Sequence, residues 1–468
     1  MIFLIFAGAP FLWGQAPPDS PVGASGPRTG PIYYLAVTPD SPDIARDFTR
    51  AGYDVDAVYE DTFRLYATEA EKELLQNAGF SPVVLERHPG FGCVKPPTGR
   101  RGLGAYHSYD SLTSDVKSLA ELHPGICRLH SLGKSVQGRD IWVLRITDNP
   151  DVEEDEPAVK YLATLHGNEP VGMEMCLYLA HHLLSQYLAD DDVTTLVDHT
   201  DIWIVPLVNP DGLQQNIRFN ANGYDLNRVF PEFTLGEPDS MTGREPEVIA
   251  IMAWQAGRMF TLSADFHGGA LVASYPYNTD GKGSVDSPTP DDTLYRAIST
   301  EYAMRNPPMS ASSTFPGGIV NGADWYFING SMGDWNYRFR FCNEVTFEIS
   351  NIKKPFESTL PGLWEDNRES MLAYLNTVHR GVRGSVTDAA TGLPVRARIL
   401  VEGNTQPVYS HPAGGDFYRM LLPGTYALNF DAPGYHPLRI SDVLVKPDTP
   451  TRLDVALSPL PALAWFFY

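Results

Sequence analysis

Hydrophobic positions in the central part of the chain, residues 105–380, follow two different periods. Four short runs are apolar and rich in β-branched residues, and turn residues bound each of them, which is typical of strands. Because these runs are continuously apolar and do not alternate, both faces of the strands are expected to be covered. The four predicted strands are Val159–His166, Ile202–Val208, Leu262–His267 and Val345–Ile349.

Between these strands, two segments show the spacing of a helix. In Pro170–Tyr187, apolar residues at positions 171, 175, 179 and 183 form one helical face, and Pro246–Met259 repeats the pattern. Strands that alternate with helices predict an α/β domain with a doubly wound, mixed sheet. In such domains ligands bind beyond the carboxyl ends of the strands.

The chain before the central domain divides into three segments. Residues 1–16 are apolar and end in small residues, which predicts a signal peptide and therefore a secreted or extracytoplasmic protein. Residues 29–88 are predicted to form a small α+β module of order βαββαβ, either a removable prodomain or a permanent structural domain. Residues 89–104 are rich in proline, glycine and basic residues, as in an exposed linker. The elements identified in the module are Ile32–Val37, Pro42–Ala51, Arg64–Ala67, Glu69–Ala78 and Pro82–Leu85.

The last part of the chain, residues 381–460, changes to short runs of period two that are separated by close turns. This spacing predicts a small all-β sandwich after the α/β domain. The predicted strands are Val382–Thr387, Ala397–Val401, Thr425–Phe430 and Arg452–Leu457.

Composition narrows the possible partners. The chain of 468 residues carries a net charge of −22, which argues against nucleic acid as a partner, because that binding depends on neutralising phosphates. After residue 16, no stretch reaches the roughly 18 uninterrupted apolar residues of a membrane span. Four cysteines allow three disulfide pairings, and the spacing does not choose among them. Cys176, within a predicted helix, is expected to be a buried apolar residue.

Two of the predicted strands end in residues that bind metals. His166 and Glu169 lie three apart at the end of one strand, and His267 ends another. Two imidazoles and one carboxylate are the protein ligands of a zinc that keeps a fourth position open for water, which is a catalytic arrangement. The alternative is a pair of loop histidines that are held by their neighbours.

A carboxylate also interrupts one of the apolar strands. Glu348 lies within Val345–Ile349, where burial is costly unless the group is paired or functional. Burial raises a carboxyl pKa and would suit Glu348 to accept a proton from an attacking water. The alternative is a solvent-facing residue on an edge strand.

Arginines in the polar segments after the second predicted strand are candidates for substrate binding. Arg228 follows Asn227, and Arg218 lies ten residues before Arg228. A guanidinium binds a carboxylate through two parallel hydrogen bonds. An enzyme that acts at a free C-terminus would need such an anchor near its zinc.

Taken together, these motifs resemble those of the zinc metallocarboxypeptidases, the funnelin family. The resemblance covers roughly residues 105–460, and the β domain directly after the catalytic domain resembles the transthyretin-like domain of the carboxypeptidase N/E-type subfamily. The matching stretches occur in the family's order. They are HGNEP at 166–170, NPDG at 209–212, YDLNR at 224–228, DFHGG at 265–269, NGADWY at 321–326, DWNY at 334–337 and VTFEI at 345–349.

The resemblance assigns roles to the residues around the metal. It implies that His166, Glu169 and His267 bind one zinc ion per chain. It also implies that Glu348 acts first as the general base and then as the general acid. Arg218 matches the arginine that polarises the scissile carbonyl and stabilises the oxyanion.

The resemblance also assigns roles in substrate binding. Asn227 and Arg228 match the pair that grips the terminal carboxylate, and Tyr326 matches the mobile tyrosine that closes over the substrate. Asn278 and Gly333 occupy the positions that set the preference for the terminal side chain. Neither carries a carboxylate, so a preference for C-terminal Lys or Arg is not implied, and Gly333 leaves room for a large apolar or aromatic side chain.

These observations predict a secreted zinc carboxypeptidase that removes single C-terminal residues from peptides or proteins. One alternative keeps the zinc chemistry and changes the substrate to isopeptide or γ-glutamyl bonds of cell-wall peptides. Another is a non-catalytic peptide-binding protein, although such relatives typically lose a zinc ligand or the base, and all of these are present here.

Overall fold

The chain forms two compact units, residues 1–90 and 91–468. The predicted signal peptide at 1–16 lies outside the described residues. Of the predicted helix Pro42–Ala51, only Phe48 is described, and of the predicted linker, only the last two residues. The structure is a computed structural model that describes residues 28, 30–39, 48, 52–59, 62–88, 103–281, 286–447 and 449–461.

In the first unit, four antiparallel strands form a sheet of order β2-β3-β1-β4. Thr68 caps the helix that follows β3, because its hydroxyl accepts from the backbone N–H of Glu71. Strand β2 was not identified from the sequence, since its aspartates are disfavoured in strands. The elements are β1 (Ile32–Val37), β2 (Asp54–Tyr59), β3 (Thr62–Thr68), α1 (Glu69–Asn77) and β4 (Val83–His88).

A mixed sheet of eight strands forms the centre of the second unit, in the order β11-β10-β12-β9-β7-β8-β6-β5. Neighbours β12, β9, β7 and β8 are parallel, whereas β10 is antiparallel to β12 and β6 is antiparallel to β8. The strands are β5 (Cys127–Lys134), β6 (Asp140–Ile146), β7 (Ala158–Ala163), β8 (Asp201–Val205), β9 (Phe260–His267), β10 (Ala270–Tyr275), β11 (Ile319–Asn321) and β12 (Asn343–Ser350).

Helices cover this sheet, and the two that were predicted from apolar spacing are present as α3 and α6. The prediction of a doubly wound α/β fold is confirmed. The helices are α2 (Tyr109–Leu122), α3 (Val171–Gln186), α4 (Asp191–Asp198), α5 (Pro210–Gln215), α6 (Pro246–Ala256), α7 (Asp292–Ala303), α8 (Pro307–Ser310), α9 (Gly322–Trp325), α10 (Met332–Trp335) and α11 (Leu360–Asn376).

The two faces of the sheet differ in chemistry. Successive side chains of a strand point to opposite faces. On one face β9 and β12 contribute apolar residues to the largest hydrophobic cluster. On the other face the same strands carry polar residues, and these meet as the cross-strand pairs Ser263 with Glu344, Asp265 with Thr346, and His267 with Glu348. All but Thr346 are buried. Both faces are therefore covered, as predicted, but β9 and β12 alternate where continuous apolarity was expected.

The end of the second unit is a β-sandwich of two sheets, as predicted. Their orders are β16-β13-β19, with β20 also paired to β13, and β15-β14-β17-β18. The single strand predicted at Arg452–Leu457 is divided into β19 and β20. The strands are β13 (Val382–Asp388), β14 (Arg398–Val401), β15 (Val408–Tyr409), β16 (Asp416–Arg419), β17 (Gly424–Asp431), β18 (Leu438–Val445), β19 (Thr451–Arg452) and β20 (Val455–Leu457).

Cys127, Cys176 and Cys342 are buried free thiols, and Cys93 lies outside the described residues. In the described part of the chain, no helix is long and apolar enough to cross a membrane. The domain boundaries given above stay predictions.

Phe347 tests the apolar face of the sheet. Its ring is buried, and its centroid lies 3.8 Å from that of Tyr302 and 4.9 Å from that of Tyr374. Phe347→Ala should lower the free energy of unfolding by about 3–5 kcal/mol, because it leaves a cavity in the core. Urea denaturation measures the effect. The control is Phe356→Ala, whose side chain is exposed and should change stability little. Equal stability of the two variants would contradict this description of the core.

Candidate metal centre and adjoining pocket

Three side chains converge at the carboxyl ends of β7 and β9. These strands are parallel neighbours, so the segment after β7 and the end of β9 meet at one edge of the sheet. His166 Nδ1 lies 3.0 Å from Glu169 Oε2, and His267 Nδ1 lies 2.8 Å from the same oxygen. The two Nδ1 atoms are 3.0 Å apart. The three predicted zinc ligands are thus brought together, and all three are buried.

Two carboxylates orient the imidazoles. His166 Nε2 lies 3.1 Å from Asp225 Oδ1, and His267 Nε2 lies 2.7 Å from Asp265 Oδ2. A carboxylate favours the proton on the facing nitrogen, so each Nε2 donates and each Nδ1 turns a lone pair inward. Two such lone pairs and the Glu169 oxygen, directed at one point, favour a cation between them. Two nitrogens and one oxygen are a donor set that fits zinc.

Cationic side chains contact Oε1 of Glu169, the oxygen other than the one nearest the two histidines. Lys353 Nζ lies 2.7 Å from Glu169 Oε1, and Arg218 Nη1 lies 3.5 Å from it. Burial opposes the charge, but His166 and Lys353 outweigh it and hold the pKa of Glu169 well below its usual range. Lys353 was not identified from the sequence. The only available signal was its position three residues beyond β12.

Asp225 connects this centre to the predicted substrate-binding residues. It accepts from Arg218 Nε at 2.8 Å and from the backbone N–H of Asn227 at 2.8 Å, in addition to its contact with His166. Burial opposes ionisation, but Arg218, His166 and Arg228 outweigh it and hold the pKa of Asp225 well below its usual range. One buried carboxylate therefore orients a candidate metal ligand and the candidate oxyanion donor.

The short turn Leu226–Arg228 carries the candidate carboxylate anchor. The Asn227 side chain accepts from the backbone N–H of Met332 at 2.9 Å, so it also supports the start of α10. Gly330 has a φ of +69°, and a Cβ there would lie 2.3 Å from the Arg228 carbonyl oxygen. The loop after α9 therefore packs directly against the arginine turn.

Glu348 lies beside the metal ligands. Its strand, β12, has a neighbouring strand on both sides, and Glu348 lies opposite His267 of β9. The side chain is largely buried. The alternative of a solvent-facing residue on an edge strand is therefore wrong.

Tyr326 and the two pocket residues lie on segments around α9 and α10. The half-buried Tyr326 follows α9, and its ring lies 4.7 Å from that of Trp325. Asn278 Nδ2 donates to Ser331 Oγ at 3.1 Å and to Asp334 Oδ1 at 3.0 Å, so both amide protons have partners within the protein. Burial raises the pKa of Asp334 well above its usual range.

Glu344 lies beneath Gly333. A Cβ built on Gly333 would lie 3.6 Å from Glu344 Oε1 and 4.0 Å from Asn278 Nδ2. The other oxygen, Oε2, accepts from Lys160, Ser263 and Asn336. Glu344 was not identified from the sequence, although it lies four residues before Glu348 and therefore on the same face of β12.

Comparisons with known proteins agree with this geometry. The family model described as zinc carboxypeptidase matches residues 112–370. The model described as carboxypeptidase regulatory-like domain matches residues 381–458. Carboxypeptidase M of Mus musculus is 40% identical, over 70% of this chain and 79% of that protein. Carboxypeptidase N catalytic chain of Homo sapiens is 36% identical, over 78% of this chain and 88% of that protein.

Carboxypeptidase D of Homo sapiens is 39% identical over 75% of this chain, but over only 27% of its own length. The chain thus spans about a quarter of the carboxypeptidase D relatives that it matches. Among solved structures, carboxypeptidase A from Helicoverpa armigera has a TM-score of 0.57 at 20% identity, covering 75% of this chain and 99% of that one. Thrombin activatable fibrinolysis inhibitor has a TM-score of 0.54 at 17% identity, covering 74% and 98%. These two structures support the fold.

Gly167 tests how the ligand segment is held. A Cβ at Gly167 would lie 2.0 Å from the carbonyl carbon of Gly212, which is too close for any side chain. Gly167→Ala should displace His166 and Glu169 and weaken zinc binding by about 10–100-fold. Competition with a zinc chelator measures the affinity.

The matched control is Gly257→Ala, where an added Cβ would meet nothing within 4 Å. It should retain the zinc affinity of the unmodified chain. Unchanged zinc affinity in a folded Gly167→Ala protein would show that this contact does not position the ligands.

Proposed function

The chain belongs to the zinc carboxypeptidase family, and we propose that it hydrolyses peptides or proteins at their C-terminus and releases single amino acids. The convergence of His166, Glu169 and His267 beside Glu348 is the observation that carries this proposal. The arginine turn, joined to this centre through Asp225, supports action at a free carboxylate.

We propose that one zinc ion per chain is held by Nδ1 of His166, Nδ1 of His267 and the carboxylate of Glu169. When bound, zinc supplies a Lewis acid that polarises the scissile carbonyl and lowers the pKa of water. Asp225 and Asp265 keep both imidazoles in the tautomer that this role needs.

Glu348 is the proposed proton carrier. Its position opposite His267 on the neighbouring strand supports this role. It accepts the proton of the attacking water and then delivers it to the leaving amine, so one group serves as base and as acid. Burial keeps competing solvent away from this transfer.

The two arginines have separate proposed roles. Arg218 is buried and held by Asp225, with Nη1 3.0 Å from His166 Nδ1, which supports its role as a fixed donor to the developing oxyanion. Loss of one such donor typically costs about 3 kcal/mol of transition-state stabilisation. Arg228 and Asn227 bind the terminal carboxylate, and Tyr326 closes over the bound substrate. An anchor of this kind restricts cleavage to the last peptide bond.

For the terminal side chain, we propose a preference for Lys or Arg, read by Glu344. Asn278 uses both amide protons within the protein, whereas Glu344 Oε1 is buried and has no hydrogen-bond partner among the described residues. Asp265 Oδ1 is likewise buried, and no described residue donates a hydrogen bond to it. Two such oxygens favour a substrate side chain that ends in N–H donors over the large apolar one that Gly333 alone suggests.

The depth of Glu344 agrees with this preference. Glu344 and Glu348 are four residues apart on one strand, which corresponds to roughly 13 Å. Glu344 therefore lies below the reacting centre, at a depth that suits a long side chain. Glu344 Oε1 is buried, and residue 333, the nearest position on α10, is a glycine that places no side chain over it.

We further propose that the chain acts outside the cytoplasm, on the basis of the apolar segment at residues 1–16. That segment lies outside the described residues, as does the dibasic pair Arg100-Arg101 at which the N-terminal module could be removed.

Glu348→Gln tests the proton carrier. The substitution preserves shape and removes the basic oxygen, so kcat should fall by about 10²–10⁴-fold. Zinc content should stay the same, because Glu348 is not a proposed ligand. Hydrolysis of a peptide panel and metal analysis of the same samples give the two measurements.

Glu369→Gln is the matched control, since Glu369 is exposed on α11. It should keep full activity. An active Glu348→Gln protein would disprove the proposed mechanism. Binding of zinc and peptide by the unmodified chain without hydrolysis would instead favour the non-catalytic alternative.

Peptides that differ only in the last residue test the role of Glu344. The unmodified chain should cleave C-terminal Arg or Lys at least about tenfold better, in kcat/KM, than Leu or Phe. Gly333→Ala should reduce this ratio, because its Cβ would lie in contact distance of Glu344 Oε1 without disturbing the pair with Lys160. A preference for Leu or Phe, unchanged in Gly333→Ala, would contradict the role of Glu344.

A further inference from the structure

Asp291 binds an arginine of the β-sandwich instead of capping its own helix. It stands at the residue before α7, where an aspartate ordinarily accepts from backbone N–H groups of the first turn. Its side chain makes no such capping bond. Instead it binds Arg419 at the end of β16, with Nη2 2.7 Å from Oδ1 and Nη1 3.1 Å from Oδ2. Both side chains are buried, so a bidentate ion pair joins the β-sandwich to the α/β domain.

Two further sandwich residues complete this contact. Asn404 Nδ2 donates to Asp291 Oδ1 at 2.7 Å and to the Pro290 carbonyl at 3.0 Å. Gln406 Nε2 donates to the Tyr337 carbonyl at 2.6 Å, and the Tyr337 hydroxyl donates to Asp291 Oδ2 at 2.9 Å. Each oxygen of Asp291 thus accepts two hydrogen bonds. We call Arg419, Asn404 and Gln406 the sandwich clamp.

From the clamp, contacts lead to the substrate pocket. The ring of Tyr337 lies edge-on to that of Tyr277, with centroids 5.6 Å apart. The Tyr277 carbonyl accepts from Ala323 N at 3.1 Å, and the Asn278 carbonyl accepts from Ile328 N at 3.1 Å. Ala323 and Ile328 stand on either side of Tyr326. The segment that the clamp supports therefore holds both ends of the loop that carries the candidate closing tyrosine.

A second contact between the same two domains provides a contrast. Arg452 and Tyr418 bind Asp155, at 2.7 Å each, and the side chains of Arg452 and Asp155 are 49% and 37% exposed. Asp155 lies three residues before β7, at the opposite end of that strand from the metal ligands. Exposed ion pairs of this kind contribute little to the free energy of unfolding. The buried contact is the one that faces the pocket.

We propose that the sandwich clamp positions the pocket, with Arg419 as its central positioning residue. Arg419 touches neither substrate nor metal ligands in this role. It acts through Asp291, Tyr337 and Tyr277 to keep the Tyr326 loop in its binding geometry. Without the clamp, substrate binding would have to order this loop, which raises KM and leaves the proton transfers at Glu348 unchanged.

The test uses the full, zinc-loaded chain. Asn404→Ala removes three side-chain hydrogen bonds, to Asp291, to the Pro290 carbonyl and from the Gln406 backbone N–H, without removing a charge. The double variant Arg419→Gln with Asp291→Asn removes the ion pair and keeps groups that can hydrogen-bond. Both should raise KM, roughly tenfold for the double variant, with kcat within about twofold. Hydrogen exchange at Ala323 and Ile328 should accelerate.

Arg452→Ala is the control, because it breaks the exposed contact between the same domains. It should change neither KM nor exchange. Clamp variants that lower the melting temperature and leave KM and exchange unchanged would overturn the proposal and reduce the clamp to a structural contact. The KM measurement rests on the proposed function, but the exchange measurement does not. If the unmodified chain hydrolysed no peptide, the proposed function would fail and exchange would still decide the role of the clamp.

Discussion

Asp225 and Asp265 hold the two imidazoles of the candidate metal centre with their Nδ1 lone pairs turned toward Glu169, and the rest of the site depends on this constraint. The three facing atoms lie 2.8–3.0 Å from one another and form a donor set that fits a zinc ion. Burial strengthens both the repulsion and the attraction to a metal, because the local dielectric is low. The same Asp225 orders Arg218 and the turn of Arg228. The candidate metal centre and the candidate carboxylate anchor are therefore joined through one carboxylate.

The sheet provides the geometry for this coupling. Strands β9 and β12 place apolar residues on one face, where they join the main core, and polar residues on the other. Along the polar face, the candidate ligand His267 and the proposed proton carrier Glu348 lie at the carboxyl ends, and Glu344 with Lys160 lies deeper. The core rigidifies both strands, because interiors are packed to crystal-like density. Stability and site geometry thus come from the same two strands.

The positions of the candidate ligands could be predicted from strand ends, because parallel strands bring their carboxyl ends to one edge of a sheet. Asp225 and Asp265 stood inside quoted motifs but had no assigned role, since a carboxylate that orients a ligand looks in sequence like any polar residue. Lys353 and Glu344 were missed for the same reason. The signal available for Glu344 was the alternation of polar and apolar residues along β12. The prediction of a uniformly apolar strand overlooked that alternation.

By itself, the sequence determined four strands and two helices of the α/β domain, the family resemblance, the two histidines and the glutamate, and the presence of a β domain after the α/β domain. Local spacing and burial preferences act over a few residues, so a linear pattern records them. Only the tertiary structure decided which carboxylate faces which imidazole. It also decided that the Asn278 amide donates to Ser331 and Asp334, and that Arg419 binds Asp291. Those contacts join residues far apart in the chain, and their geometry exists only once the sheets have packed.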